Sequence, residues 1–105
     1  MNRNKFITNS QLLFGRWNYG IVNELMSGPK RYSELKRTLP ITGKILTGRL
    51  RMLEGENLIL RHMYPEIPMR VEYALTEKGE AMRQMVEAFE RWFSQYIDCH
   101  RMDDA

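Results

Sequence analysis

Cationic and small side chains in the middle of the chain recur at the spacing of one helical face. Lys44, Gly48 and Arg51 lie three or four residues apart, with Thr47 beside them. In a helix these positions share one side, because 3.6 residues complete a turn. Ammonium, guanidinium and hydroxyl donors at this spacing bind phosphate oxygens and the acceptor-rich edges of bases. The pattern therefore points to a polyanionic ligand.

The other side of the same segment is apolar. Leu46, Leu50 and Leu53 recur at helical spacing and predict a buried stripe. Thr42 is a good N-cap, so we expect a helix over residues 43 to about 56. The segment thus has one face for a core and one face for a partner.

The start of this predicted helix is suited to an anion. Backbone N–H groups near Thr42 and Gly43 have no partner within the helix and favour a phosphate. Gly48 costs the helix ~1 kcal/mol relative to Ala, and its lack of a side chain allows close approach to another surface. We interpret residues 42–56 as a recognition helix whose N-terminal half enters the major groove of DNA. An ordinary solvated helix face is the alternative.

Five more cations extend this interpretation. Arg70 lies at the base of a loop stiffened by two prolines, and we predict it at the adjacent minor groove. A surface ion pair of Arg70 with Glu66 or Glu72 is the alternative. The other four flank the preceding helix, where we expect contacts with the sugar-phosphate backbone: Lys30, Arg31, Lys36 and Arg37.

The periodicity of the chain predicts helices first and strands afterwards. The fold class is mainly α with a small β-hairpin (α+β), a winged helix-turn-helix with N- and C-terminal dimerisation helices. We expect one domain over 1–105, with the helix-turn-helix and wing at about 9–75 and the C-terminal helix at 76–100. The predicted elements are helices at Ser10–Phe14, Trp17–Met26, from Tyr32 to Pro40 and at 43–56, strands at Leu58–Tyr64 and Arg70–Leu75, and a helix from Thr76 to about His100.

The last predicted helix carries more apolar surface than a small domain needs. We interpret this stripe, with apolar residues near the N-terminus, as a homodimer interface, and an intramolecular core is the alternative. Eight Met residues leave open an adaptable pocket for a small effector near that interface. The predicted interface residues are Phe6, Leu13, Met85, Phe89, Trp92, Phe93 and Tyr96.

Charge and composition narrow the class of protein. Residues 1–61 hold 11 Lys/Arg against 4 Asp/Glu, whereas residues 62–105 hold 5 against 9. A basic half joined to an acidic half indicates a face that binds a polyanion such as double-stranded DNA, and ordinary variation of surface charge is the alternative. No apolar run has the length of a signal peptide or membrane span, and Cys99 is the only cysteine, so we expect a cytoplasmic protein. We predict no metal site, no cofactor and no enzymatic activity, because ligand spacings and catalytic motifs are absent.

Four segments of the chain together form a recognisable pattern: Gly15-Arg16-Trp17, Gly28 to Leu35, Ile45 to Glu54 and Tyr64 to Gly79. They resemble the HxlR-type winged helix-turn-helix regulators, which are similar in fold to the MarR regulators. The resemblance runs from about Phe6 to Trp92 and is most specific between Tyr64 and Gly79. It implies a bacterial homodimer that binds a pseudo-palindromic operator and regulates transcription. A winged-helix module for protein–protein contact, and a regulator controlled by a small ligand near the dimer interface, are the alternatives.

Several members of that family sense electrophiles or oxidants through a cysteine that precedes the Gly-x-Trp motif. In this chain the corresponding place, around Asn4, has no cysteine. Cys99 lies at the opposite end, so we expect a spectator thiol and no thiol sensing of that type, and a thiol that reacts or cross-links is the alternative.

Overall fold

The secondary structure follows the predicted change from helices to strands. The computed structural model describes residues 2–5, 15 and 17–98, so the predicted helix at Ser10–Phe14 lies outside the described residues. Residues 3–5 form a helical turn. The further elements are α1 (Asn18–Leu25), β1 (Lys30–Arg31), α2 (Tyr32–Thr38), α3 (Gly43–Gly55), β2 (Ile59–Tyr64), β3 (Arg70–Leu75), α4 (Glu77–Glu80), α5 (Arg83–Phe93) and a π-helical segment (Ser94–Asp98).

The core forms where the apolar sides of α1, α2 and α3 meet the start of β2. Each helix contributes residues three or four apart, so one stripe of every helix is removed from water. Burying one such side chain stabilises the fold by about 1.5–3 kcal/mol. The apolar side chains that are at most 2% exposed are Ile21, Val22, Leu25, Leu35, Leu46, Leu50, Leu53, Ile59 and, from α5, Val86.

The sheet has three antiparallel strands in the order β1-β3-β2. The predicted hairpin of β2 and β3 is present, but the sequence did not predict β1. Lys30 pairs with Tyr73 and Arg31 with Glu72. A strand of two residues has no alternation to detect, which explains why the sequence did not predict it. The side chains of β3 are half-buried on both of its faces, because β3 is the central strand.

The junction between the sheet and the last helices depends on Thr76. Its hydroxyl caps α4 by accepting from the backbone N–H of Gly79 at 3.0 Å, and it donates to the carbonyl of Asn57 at 2.7 Å. Gly79 packs so closely that a Cβ there would collide with the carbonyl oxygen of Leu58. Thr76 was predicted as an N-cap, and the structure confirms it.

The C-terminal helix is not the single helix that the sequence predicts. Ala81 and Met82 form a turn between α4 and α5. The helix then widens into the π-helical segment Ser94–Asp98, and residues 99–105 lie outside the described part. None of the described helices is long and apolar enough to cross a membrane.

Candidate nucleic-acid interface

The inner face of α3 fixes how its outer face is presented. Thr42 caps the helix by accepting a hydrogen bond from the backbone N–H of Ile45 at 3.3 Å. Leu46 and Leu53 are fully buried, and Leu50 is 2% exposed. The predicted cap and apolar stripe are both confirmed, and together they set the rotation of the helix about its axis.

The outer face of α3 carries unpaired positive charge. Lys44, Gly48 and Arg51 are exposed, as predicted. Within the described residues, neither Lys44 nor Arg51 lies within 4.0 Å of a carboxylate oxygen. A Cβ added at Gly48 would meet no atom within 4 Å. The helix therefore presents two free cations on either side of a position without bulk.

Tyr32 joins the start of α2 to the start of α3, which the sequence analysis missed. Its hydroxyl donates to the carbonyl of Gly43 at 3.1 Å and lies 3.3 Å from the hydroxyl of Thr47. A Cβ at Gly43 would lie only 3.0 Å from the Tyr32 hydroxyl, so a glycine suits this contact. Tyr32 thereby fixes the N-terminal half of α3, and Thr47 faces this contact from the side of the helix.

A second arginine lies on the flank of this face. Arg49 is partly buried and lines a shallow depression with Ile45, whose side chain is 40% exposed. Lys44 and Gly48 line the same depression. Arg49 was not among the residues that the sequence analysis placed on the outward side. The four-residue spacing from Ile45 to Arg49 is the signal that would have placed both residues on the flank of this helix face.

The cations before α3 fall into two sets. Lys36 and Arg37 are exposed in the last turn of α2, next to the start of α3. Lys30 and Arg31 form β1, which leads directly into α2, so they flank this helix as predicted. The ammonium group of Lys30 donates to Ser27 Oγ at 3.0 Å, and the backbone N–H of Arg31 donates to Glu34 Oε1 at 3.0 Å.

The wing consists of β2, β3 and the loop between them. Arg70 Nη1 donates to Glu72 at 2.9 Å, and its Nη2 donates to Glu66 at 3.0 Å. The guanidinium also lies 3.8 Å from the ring centre of Tyr64. Burial lowers the pKa of Arg70, but the hydrogen bond to Glu66 and the two carboxylate charges outweigh it, and the pKa is raised. The structure thus contains the ion pair that the sequence left as the alternative, and it does so with both carboxylates.

The apolar side of the C-terminal helix divides between core and surface. Val86 is 1% exposed, and Met82 packs on the core. Phe6 and Leu13, predicted with this surface, lie outside the described residues. Phe93 is half-buried. The side chains between 40% and 57% exposed, which we call the α5 stripe, are Met85, Phe89, Trp92 and Tyr96.

The HxlR-like helix-turn-helix family matches residues 12–101, which is most of the chain. The chain belongs to this family. It is a DNA-binding transcription regulator of the HxlR and MarR-like winged helix-turn-helix type, as the resemblance implied.

Two regulators from Bacillus subtilis are similar to this HxlR-like chain over most of their length. The regulator YodB is 41% identical over 88 residues, which cover 83% of this chain and 79% of YodB. The uncharacterized regulator YvaP is 38% identical over 93 residues, which cover 88% and 86%.

Solved structures of HxlR-like relatives share the fold. The reduced form of YodB matches with a TM-score of 0.81 at 38% identity, covering 93% of this chain and 97% of YodB. The redox regulator HypR in its reduced form matches with a TM-score of 0.83 at 29% identity, covering 93% and 98%.

Proposed function

We propose that α3 reads the major groove of duplex DNA, and that two copies of the chain bind a pseudo-palindromic operator as a homodimer. The outer face of α3 carries the proposal. Lys44 and Arg51 are exposed there and form no ion pair with any described residue, and Gly48 leaves room between them. Long cationic donors on an otherwise open helix face match the acceptor-rich edges of guanine, so these two residues are the proposed base-reading residues.

Sequence-independent contacts surround this reading face. The backbone N–H groups that follow Thr42 and begin at Gly43 suit one phosphate, because the helix dipole adds to them. Thr47 donates to a neighbouring phosphate or base when its hydroxyl turns away from the Tyr32 hydroxyl, which lies 3.3 Å from it. Four cations reach the sugar-phosphate backbone on the α2 side: Lys30, Arg31, Lys36 and Arg37.

The wing, residues 64–71, lies at the minor groove in this arrangement. The two ion pairs of Arg70 hold the loop against β3. Arg70 contacts DNA only where phosphates or bases replace Glu66 or Glu72 as its partners. The wing therefore contributes less to affinity than α3 does.

The dimer forms through the α5 stripe. Aromatic and Met side chains that are about half exposed on one helix are typical of a surface that a second copy covers. A twofold axis through this contact separates the two recognition helices by ~34 Å, one turn of DNA. We also propose that the protein works in the cytoplasm.

Thiol sensing is not part of the proposal. YodB has solved structures of its reduced and diamide-treated forms, and HypR has solved structures of its reduced and oxidised forms. In this chain Asn4, in the helical turn at 3–5, stands about where the family resemblance implies a sensing cysteine. Cys99 lies outside the described residues.

Selection of bound sequences from random duplex DNA gives the operator, and fluorescence anisotropy then measures affinity. Arg51→Ala is expected to weaken operator binding by ~1–3 kcal/mol, because a base-edge contact is lost. Arg91→Ala is the matched control, since Arg91 is an exposed arginine on α5.

The salt dependence of binding separates base reading from charge alone. Lys36→Ala is expected to weaken all duplexes alike and to lower the slope of log affinity against log salt by about 1. Equal affinity of the Arg51→Ala and Arg91→Ala variants would contradict the proposed reading face. Absence of any salt-sensitive binding to duplex DNA would contradict the function.

A further inference from the structure

A small cavity lies between α1 and α5, and none of its lining residues belongs to α3. Its volume is about 270 Å³, and it is lined by Tyr19, Phe89, Glu90, Phe93 and Ser94. This is just below the usual size of small-molecule sites, ~300–1,000 Å³, so a small occupant suits it.

Three aromatic rings follow one another along this cavity. Tyr19 and Phe89 meet edge to face, with ring centres 5.8 Å apart and planes at 61°. Phe89 and Phe93 are one helical turn apart, with ring centres 6.0 Å apart. The rings stand at different angles, so they present both faces and edges to the space between them.

Glu90 adds one negative charge to these rings. It is exposed, and no Lys, Arg or His among the described residues forms an ion pair with it. The pKa of Tyr19 is raised, first by burial and then by the charge of Glu90 and a hydrogen bond to it. Tyr19 therefore stays neutral at physiological pH and presents a hydroxyl and a ring, not a second charge.

We propose that this cavity binds a small organic cation of the alkylammonium class. Aromatic rings attract such cations through their quadrupoles, and a carboxylate without a cation of its own completes the attraction. A phosphate or carboxylate ligand would be repelled by Glu90. A divalent metal needs several oxygen or nitrogen ligands, and the lining offers one carboxylate and two hydroxyls.

The position of the cavity gives the bound cation two neighbours that matter. Tyr19 belongs to α1, whose Ile21 and Val22 pack in the same core as Leu46 of α3. Phe89 belongs both to the cavity and to the α5 stripe. The cation thus touches elements that support both the DNA-reading helix and the proposed dimer contact.

The test compares two probes of the same shape. Choline chloride and its neutral isostere 3,3-dimethylbutan-1-ol are titrated into the intact protein at constant ionic strength and followed by NMR. Choline is expected to shift the resonances of Phe89, Phe93 and Ser94 saturably, and to bind roughly tenfold more tightly than the alcohol. Glu90→Gln is expected to remove most of that preference.

The matched control is Glu87→Gln, which removes the same charge from an exposed position of the same helix. It is expected to bind choline like the unaltered protein. Equal binding of the two probes, equal effects of the two substitutions, or no saturable binding of choline would each overturn the proposal. These readouts involve no DNA, so they are separate from the test of the proposed function.

Discussion

Arg70 is surrounded by groups that already satisfy its charge. Two carboxylates lie 2.9 and 3.0 Å from its guanidinium nitrogens, and the Tyr64 ring covers it. Its side chain is 26% exposed. Lys44 and Arg51, by contrast, have no carboxylate within reach among the described residues. Arg70 is therefore expected to contribute less to DNA affinity than Lys44 or Arg51, although all three carry the same charge. Counterions are released from DNA only when a cation is free to contact a phosphate.

Removing both carboxylates tests this difference. Glu66→Gln combined with Glu72→Gln is expected to tighten DNA binding several-fold and to steepen the salt slope by up to about 1, because the guanidinium becomes available. Operator affinity is measured by anisotropy over a salt series. Glu77→Gln combined with Glu87→Gln removes the same charge from two exposed positions outside the wing and serves as control. If the two double variants have the same operator affinity and the same salt slope, the ion pairs with Glu66 and Glu72 do not keep Arg70 from contacting DNA.

The sequence left the state of Arg70 open for a physical reason. Arg70 and Glu72 lie two apart on a strand, so their side chains share a face and an ion pair is foreseeable. Glu66 comes from a loop whose path depends on its neighbours, and spacing along the chain does not give that path. The contact of Tyr32 with Gly43 is similar, because it depends on how α2 and α3 pack.

Among the elements, α3 was predicted well because the spacing of its residues distinguishes a buried face from an exposed one. Its cap, its apolar stripe and its exposed cations all have helical spacing. β1 was missed because two residues carry no period, and its strand exists through pairing with β3. The break between α4 and α5 was missed because the apolar period continues through Ala81 and Met82, so tertiary packing decides the turn.

Gly79 shows how closely these elements approach. Gly79→Ala is expected to lower the free energy of unfolding by ~1–3 kcal/mol, because its Cβ would collide with a backbone carbonyl at Leu58, which cannot rotate away. Gly48→Ala is the control, since nothing lies within 4 Å of that position and Ala favours a helix by up to about 1 kcal/mol.

Denaturant unfolding followed by circular dichroism measures both variants. Gly79→Ala as stable as the unaltered chain would show that α4 shifts to admit a methyl group. Gly48→Ala is expected to keep or gain stability. It is also expected to bind the operator more weakly, since the added methyl group stands between Lys44 and Arg51.

Across the whole molecule, charge and apolar surface are divided. The basic residues 1–61 contain α1 to α3 and the free cations, whereas the acidic residues 62–105 contain α5 and its stripe. The basic half is thus suited to binding DNA. The acidic half does not attract phosphate, and it presents an apolar surface for a protein contact. A regulator that binds two half-sites needs both properties, because each half-site must be reached by its own α3.

The last prediction concerns the contact that would join two copies. Trp92 is 52% exposed at the middle of the α5 stripe, and an aromatic side chain buries about 150–250 Å² when covered. Trp92→Glu places an unpaired charge in that contact, so it is expected to shift sedimentation from dimer to monomer and to weaken binding to a two-half-site operator. Gln84→Glu adds the same charge at another exposed position of α5 and is expected to remain dimeric. A dimer that survives Trp92→Glu would place the interface elsewhere, since a buried carboxylate without a partner is too costly to leave the association unchanged.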